Sequence, residues 1–373
     1  MSKILFVANI HKHFTAFHLP YIKLLRNHGH EVHVAANGIE EIIQEADKQF
    51  LIPFGRSPFE TKNWQAYIKL KKLIETEKYD LVTCHTSIAS AITRIACINA
   101  RRNSNTKLVY TVHGFDFSGN SDRKTWLMYY PMEKFLSRFT DGMVTINHFD
   151  YDIITSNKFR NKNTFLINGI GVNTSRLIEN INRDKNVIRQ DYDFKNNDFI
   201  LIYIAEFIQR KNHQFIIESA SALSNKIQNL KILFVGKGYL MEDMKSLVNK
   251  LELNNIILFL GFRTDIANLI KISDIGISSS RLEGLGLNIA EAQFLGLPVV
   301  ASEDKGHKEL IDNGVNGILY PQNDKKAFSE SIITLYENQQ LRAKMGKNAF
   351  KSVQKFDIAI SLKQMDEIYK KYL

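Results

Sequence analysis

Short apolar runs recur along the chain, separated by stretches whose apolar positions keep helical spacing. The first group is KILFVAN (3–9), EVHVAA (31–36), LVTC (81–84), KLVYTVH (107–113), GMVTIN (142–147) and TFLIN (164–168). The second is FILIYIAE (199–206), KILFVG (231–236), IILFLG (256–261), IGISSS (275–280), PVVAS (298–302) and NGILY (316–320). A strand with one wet face alternates apolar and polar residues. These runs do not alternate, which predicts strands buried on both faces of parallel sheets. Stretches such as HLPYIKLLRNHGH and HQFIIESASALSNKI supply amphipathic crossover helices. Strand–helix–strand repetition predicts an α/β fold of doubly wound sheets.

The rhythm breaks once, at SRLIENINRDKNVIRQDYDFKNND (175–198), which is polar and charged with few periodic apolar positions. The expected organisation is therefore a Rossmann-like domain over 1–178, a hinge over 179–198 and a second Rossmann-like domain over 199–355. A closing helix over 356–373, with no strand after it, is expected to pack back on the first domain. Open α/β sheets bind ligands beyond the C-terminal ends of their strands, so two such domains facing each other predict a shared central cleft.

Composition agrees with this picture. A chain of 373 residues, 44% hydrophobic and 24% charged, suits two ordinary globular domains. Its two cysteines, Cys84 and Cys97, exclude a disulfide scaffold and a CxxC metal site, and their apolar surroundings predict buried, reduced thiols. No run approaches the ~18 apolar residues that span a bilayer. MSKILFVANI reaches Asn9 too soon for a secretory segment, so a cytoplasmic location is expected. The formal charge of +10 is uneven: residues 1–187 hold 25 Lys and Arg against 17 Asp and Glu, while residues 188–373 hold 24 against 22. A basic first half predicts an anionic partner on that side.

The most informative stretch is SRLEGLGLNIAEAQFLGLPVVAS, Ser280 to Ser302. The strand IGISSS should end just before Arg281, which leaves Glu283 in a loop at the ligand-facing end. Helical spacing starts near Asn288 and stops at Gly296 with Pro298 beyond, so Glu291 falls near the first turn of that helix. In one continuous helix the two acids would lie ~12 Å apart along the axis. A Gly-Leu-Gly turn between strand and helix lets both face one ligand, and the helix N-terminus offers amides to phosphate. Acids for hydroxyls and amides for a diphosphate together suit a nucleotide-sugar.

Glu, seven residues, Glu, then A-x-x-x-G-x-P-V-V-A-S and GHKELIDNGVNGIL resembles the donor signature of retaining glycosyltransferases of family 4, in particular their bacterial capsule and exopolysaccharide members. FHLPYIKLLRNHGHEVHVAA, VYTVHGFDF, WLMYYPMEKFLSRFTDGMVTIN, NGIGVNTSRL, FVGKGYL and FLGFRTDI are similar to that group's recurring blocks, in order, over nearly the whole chain. The resemblance implies a GT-B fold, with an acceptor-binding N-terminal domain and a nucleotide-sugar-binding C-terminal domain. It implies a retaining, metal-independent transfer with no cofactor, no metal ligand among the site residues, and the nucleotide-sugar as substrate. The donor is expected to be a UDP-sugar and the acceptor a lipid-linked saccharide in cell-surface glycan synthesis. By the same resemblance Glu291 matches the acid that binds the ribose hydroxyls and Glu283 the acid near the donor sugar. The amides of Gly284, Leu285, Gly286, Leu287 and Asn288 line the diphosphate and sugar. Lys211, with Arg210 beside it, matches the cation on the leaving diphosphate, His113 matches the histidine beside the donor sugar, and Arg263 is a further donor-binding candidate. Two departures stand out: Ala205-Glu206 replaces the usual Gly-Arg, and NIHKHFTAF stands where a Gly-Gly pair is common.

Other strings have plainer readings. Asp150-Tyr-Asp152 and Asp191-Tyr-Asp193 do not end apolar strands and read as chance. HKH and HGHEVH lack companion cysteines or acids at zinc-site spacing, and Gly236-Lys-Gly238 reads as a turn after a strand. RKTWLMYYPMEKFLSRF (123–139) is a helix that packs on the core or lies on an anionic membrane; FGRSPFETKNWQAYIKLKKL (54–73) is a second candidate for peripheral contact at the inner face of the plasma membrane. A nucleic-acid partner is not expected, because the special residues gather at sheet ends instead of on a basic–aromatic face. The alternatives are a sugar-nucleotide epimerase of similar architecture and a non-catalytic partner subunit of a glycosyltransferase.

Overall fold

The computed structural model describes residues 1–38, 42–119, 121, 123–178 and 184–373. The chain divides into two compact units, Met1–Gly171 with Ile358–Leu373, and Val172–Asp357.

Among the described residues the first unit holds seven parallel strands: β1 (Lys3–Ile10), β2 (Glu31–Asn37), β3 (Lys48–Leu51), β4 (Leu81–His85), β5 (Lys107–Val112), β6 (Gly142–Thr145) and β7 (Asn163–Leu166). Their spatial order is β3-β2-β1-β4-β5-β6-β7. Ile4 through Ala8 are wholly buried, as the unbroken apolar run requires. The edge strand β3 has no counterpart among the apolar runs. Its four residues KQFL are exposed or half-buried, because an edge strand needs no two-sided apolar cover. The helix Ile358–Lys370 belongs to this unit and packs on the helix Leu19–Asn27. It sets Tyr369 against Phe6 and receives the Asn168 amide on Gln364 at 3.0 Å.

The second unit's sheet runs β10-β9-β8-β11-β12-β13. Its strands are β8 (Phe199–Ile204), β9 (Leu230–Val235), β10 (Ile257–Gly261), β11 (Ile275–Ser278), β12 (Val299–Ser302) and β13 (Gly317–Tyr320). Residues 184–198, expected to be a hinge, are part of this unit. They form the helix Lys185–Asp191, whose Arg189 is buried and donates to Ile272 O at 3.0 and 2.8 Å and to Asp274 at 2.9 Å. The segment reads as polar because its cations are committed to the start of β11. Residues 179–183 of the expected hinge lie outside the described residues.

The helix Arg123–Leu136 has two faces. Trp126 and Tyr130 pack on the core, and Glu133 is buried against Arg94 at 2.8 Å, while Leu127, Met128 and Phe135 are exposed. Among the described residues no helix is long and apolar enough to cross a membrane.

Candidate active site

In the second sheet the chain winds outward from β8 to β10, then returns to lay β11 beside β8. Loops diverge at such a reversal and open a crevice at the strand ends. The loops that leave it are 205–212, after β8, and 279–286, after β11. A 3-10 turn, Gln209–Lys211, ends the first of them, with Asn212 left-handed at φ 54°. Side chains beneath fix this turn: the Tyr203 hydroxyl donates to Lys211 O at 2.7 Å, and Ser279 Oγ donates to Lys211 O and Asn212 O at 3.0 and 2.9 Å. The apolar-to-serine change in IGISSS therefore marks where the strand stops feeding the core and starts holding a loop.

The turn places two cations on one carboxylate. Lys211 Nζ pairs with Glu283 Oε1, and Arg210 Nη1 lies 3.7 Å from Glu283 Oε2 while donating to Leu282 O at 2.8 Å. Burial of Glu283 opposes its charge, but Lys211, Arg210 and His307 outweigh it and hold the carboxyl down at about 2. Beneath them Asp304 accepts the amides of Glu283 at 3.0 Å and Gly306 at 2.8 Å, and burial raises its own pKa. His307 is fully buried, with Nε2 3.2 Å from Ser278 Oγ and Nδ1 2.7 Å from Ser302 O. Asp304, Gly306 and His307 were not singled out in the sequence, though Gly306 and His307 open the block GHKELIDNGVNGIL.

Gly284, Leu285 and Gly286 make the turn into the helix Leu287–Phe294. Gly286 is its N-cap at φ 97°, a conformation that favours glycine. The helix starts at Leu287, one residue before the expected Asn288, so Glu291 is its fifth residue and falls in the second turn; it is half-buried. Arg263 is not brought to this group: its guanidinium forks onto Asp265 at 2.8 and 2.5 Å and lies 5.7 Å over the Tyr192 ring. Glu206 is exposed. The Gly236-Lys-Gly238 turn follows from close packing, since a Cβ on Gly236 or Gly238 would stand 2.0 Å from Ala205 O or 2.4 Å from Phe207 O. Asp150 of the first D-x-D string is consumed locally, taking the Phe115 amide at 3.1 Å and the Asn147 side-chain amide at 2.8 Å.

His113 belongs to the first unit, just after β5. It is one of four histidines gathered where that sheet reverses between β1 and β4. His85 Nδ1 is 3.1 Å from His113 Nε2, and His18 Nε2 is 3.2 Å from His13 Nε2. The sequence pattern gave no sign of this group, because its members come from separate loops.

Comparisons with known proteins identify the family. Residues 184–352 match the family Glycosyl transferases group 1, and residues 3–147 match Glycosyl transferase 4-like. EpsD of Bacillus subtilis, to which glycosyl transfer is ascribed, is 40% identical over 372 residues, covering 100% of this chain and 97% of its own. The UDP-Gal:alpha-D-GlcNAc-diphosphoundecaprenol alpha-1,3-galactosyltransferase of Escherichia coli is 28% identical, covering 89% of this chain and 86% of its own. Anabaena Alr3699/HepE in complex with UDP-glucose superposes with a TM-score of 0.79 at 21% identity, with both chains covered in full. The chain belongs to the group 1 glycosyltransferases and has a GT-B fold of two Rossmann-like units.

Proposed function

We propose that the protein is a retaining glycosyltransferase that moves a sugar from a UDP-sugar to a lipid-linked saccharide during capsular, exopolysaccharide or other cell-surface glycan synthesis. The observation that carries this reading is the pair of cations, Lys211 and Arg210, on buried Glu283 at the turn into Leu287–Phe294. In the reaction the bond from the sugar's anomeric carbon to the phosphate oxygen breaks and the diphosphate leaves with the electron pair. The acceptor hydroxyl oxygen bonds to that carbon and loses its proton. Negative charge grows on the diphosphate, and the positive charges of Lys211 and Arg210 oppose it without a metal. Glu283, tied to both cations, is a poor nucleophile; its role is to hold the ammonium in place and to meet sugar hydroxyls. The amides of Gly284 to Asn288 take the diphosphate and Glu291 takes the ribose hydroxyls, while His113, in the first unit, keeps as part of this proposal the donor-sugar role that the resemblance gives it. Arg263, already engaged by Asp265, is left with a secondary part. The E. coli relative's UDP-Gal donor and diphosphoundecaprenol-linked acceptor support the substrate classes.

A lipid-linked acceptor calls for peripheral contact with an anionic membrane. Trp64 and Phe59 near the helix Lys62–Glu77, and Leu127 on Arg123–Leu136, are exposed beside lysines and arginines and suit that contact.

The test is an assay of UDP-sugars with a lipid-diphosphate saccharide. Lys211→Ala is expected to lower kcat by ~10²–10³ with the fold intact by circular dichroism; near-normal turnover would remove Lys211 from this role. Glu291→Ala is expected to raise donor KM by roughly ten- to a hundredfold, and an unchanged KM contradicts the ribose assignment.

A further inference from the structure

We propose that the exposed face of the helix Gln339–Val353 is a docking surface for an anionic lipid bilayer. The helix belongs to the second unit, apart from the Trp64 and Leu127 contact proposed for the first. The inference does not rest on the transfer reaction.

Charge is gathered on this one element. Residues 338–356 hold five Lys and Arg and no Asp or Glu, whereas the rest of residues 172–357 hold 19 against 22. Arg342 is turned inward, donating to Leu335 O and Tyr336 O with its guanidinium 5.2 Å over the Phe199 ring. The four lysines take the other side. At about 100° per residue, Lys344, Lys347 and Lys351 fall within an arc of about 60°, opposite buried Met345, Ala349 and Val353. Lys355 continues the line in the 3-10 turn Gln354–Phe356, for a stripe roughly 16 Å long. All four are exposed, and among the described residues no carboxylate pairs with any of them.

Other helices pair their lysines: Lys326 lies 3.9 Å from Glu330, and Lys245 2.8 Å from Glu242. Along the stripe the neighbours at i+3 and i+4 are alike in charge, which destabilises a helix. The helix dipole favours Lys351 near the C-terminal end, but not Lys344 in the second turn. A solvated face accounts for the exposure of these lysines; an anion outside the chain also accounts for their alignment and the missing carboxylates.

The chemistry selects lipid. Protein interfaces favour arginine and are poor in lysine, and single phosphates held in fixed geometry suit the guanidinium fork. A line of ammonium groups on flexible stems suits a plane of headgroup phosphates, which asks for charge and not for a fixed geometry. Phe350 is exposed at the margin of the stripe, where an aromatic ring can enter the headgroup layer. The face is also close to the donor-site helix. Gly346 packs so tightly on Gly296, just past the helix Leu287–Phe294, that a Cβ on it would stand 2.2 Å from Gly296 O. A bilayer held at the lysines therefore lies one helix away from the helix that carries Glu291.

The test is co-sedimentation of the full chain with pure phosphatidylcholine vesicles and with vesicles one-third phosphatidylglycerol. Trp64→Ala with Leu127→Ser serves as the background, so that the first unit's patch does not mask the second's. In that background Lys344→Gln, Lys347→Gln and Lys351→Gln together should weaken binding to the anionic vesicles about 100-fold, roughly fivefold for each ammonium, with no fall in melting temperature. Lys226→Gln, Lys250→Gln and Lys326→Gln make the same change of charge at other exposed positions and should weaken binding far less. A polarity-sensitive dye on exposed Ala343→Cys reports the place of contact, since Cys84 and Cys97 are buried. Its emission should shift to the blue on anionic vesicles only. No binding to anionic vesicles in that background, equal loss in the two triple variants, or an unshifted dye overturns the docking surface. So does polyglutamate binding that the stripe variant loses while its vesicle binding persists, which marks an acidic protein as the occupant.

Discussion

Glu283 is ionised although buried, and His213, two residues beyond Lys211, is neutral for the same underlying reason. A charge survives burial only where opposite charge meets it. Glu283 has two cations. His213 has aromatic rings, stacked 4.1 Å from Phe207 and tilted 4.7 Å from Tyr203, and its Nε2 is buried without a hydrogen-bond partner. Burial, aided by the Lys211 charge, lowers His213 to about 3. The unfolded chain binds this proton near pH 6.5 and the folded chain near pH 3, so the stability contribution is complete above about 6.5 and falls away below it. Between pH 7 and pH 5 the loss amounts to about 2 kcal/mol. His213→Phe should therefore lose less stability than wild type over that interval, measured as urea midpoints at both pH values. Parallel losses would show that the imidazole is not held neutral. Glu283 titrates lower and adds its own loss only as pH falls from about 4.5 towards 2.

At the level of elements, glycines show how closely the pieces approach. Gly306 sits at φ −74°, open to any residue, yet a Cβ there would stand 2.8 Å from both Glu283 O and Leu285 N. Those are backbone atoms of the turn that presents Glu283, so they cannot move aside cheaply. Gly306→Ala should cost about 1–3 kcal/mol by overpacking and lower the melting temperature accordingly. An unchanged melting temperature would mean the turn is free to shift. That dependence was illegible in the sequence, where Gly306 stands more than twenty residues after Glu283 in an unremarkable turn. Strand ends and the Gly-Leu-Gly turn were legible, because two-sided burial and left-handed backbone each leave a local mark. The edge strand β3 and the helix Lys185–Asp191 were not. The first needs no apolar run, and the second spends its cations on a distant carboxylate that spacing cannot reveal.

Across the whole molecule the two-sheet architecture could be read from the chain, because apolar runs report burial directly. Assemblies drawn from several loops could not: Asp304 reaches the Glu283 amide, and His113 meets His13 and His18, only once the sheets order the strands. Charge is also a property of the whole, and residues 1–187 carry most of the excess of Lys and Arg over Asp and Glu. With Phe59 83% exposed, Leu127 76% and Trp64 67%, the protein is expected to co-sediment with anionic vesicles and to release as salt rises. Trp64→Ala combined with Leu127→Ser should reduce that binding several-fold; retention independent of anionic lipid would refute the membrane contact.

The closing helix Ile358–Lys370 has a practical consequence for anyone dividing the protein. A gene fragment stopped at Gly171 would lose Met365, Ile368 and Tyr369, all buried in the first unit, and would strip cover from Phe6 on β1. Such a truncation should yield sticky, poorly expressed material unless the final sixteen codons are spliced back onto it.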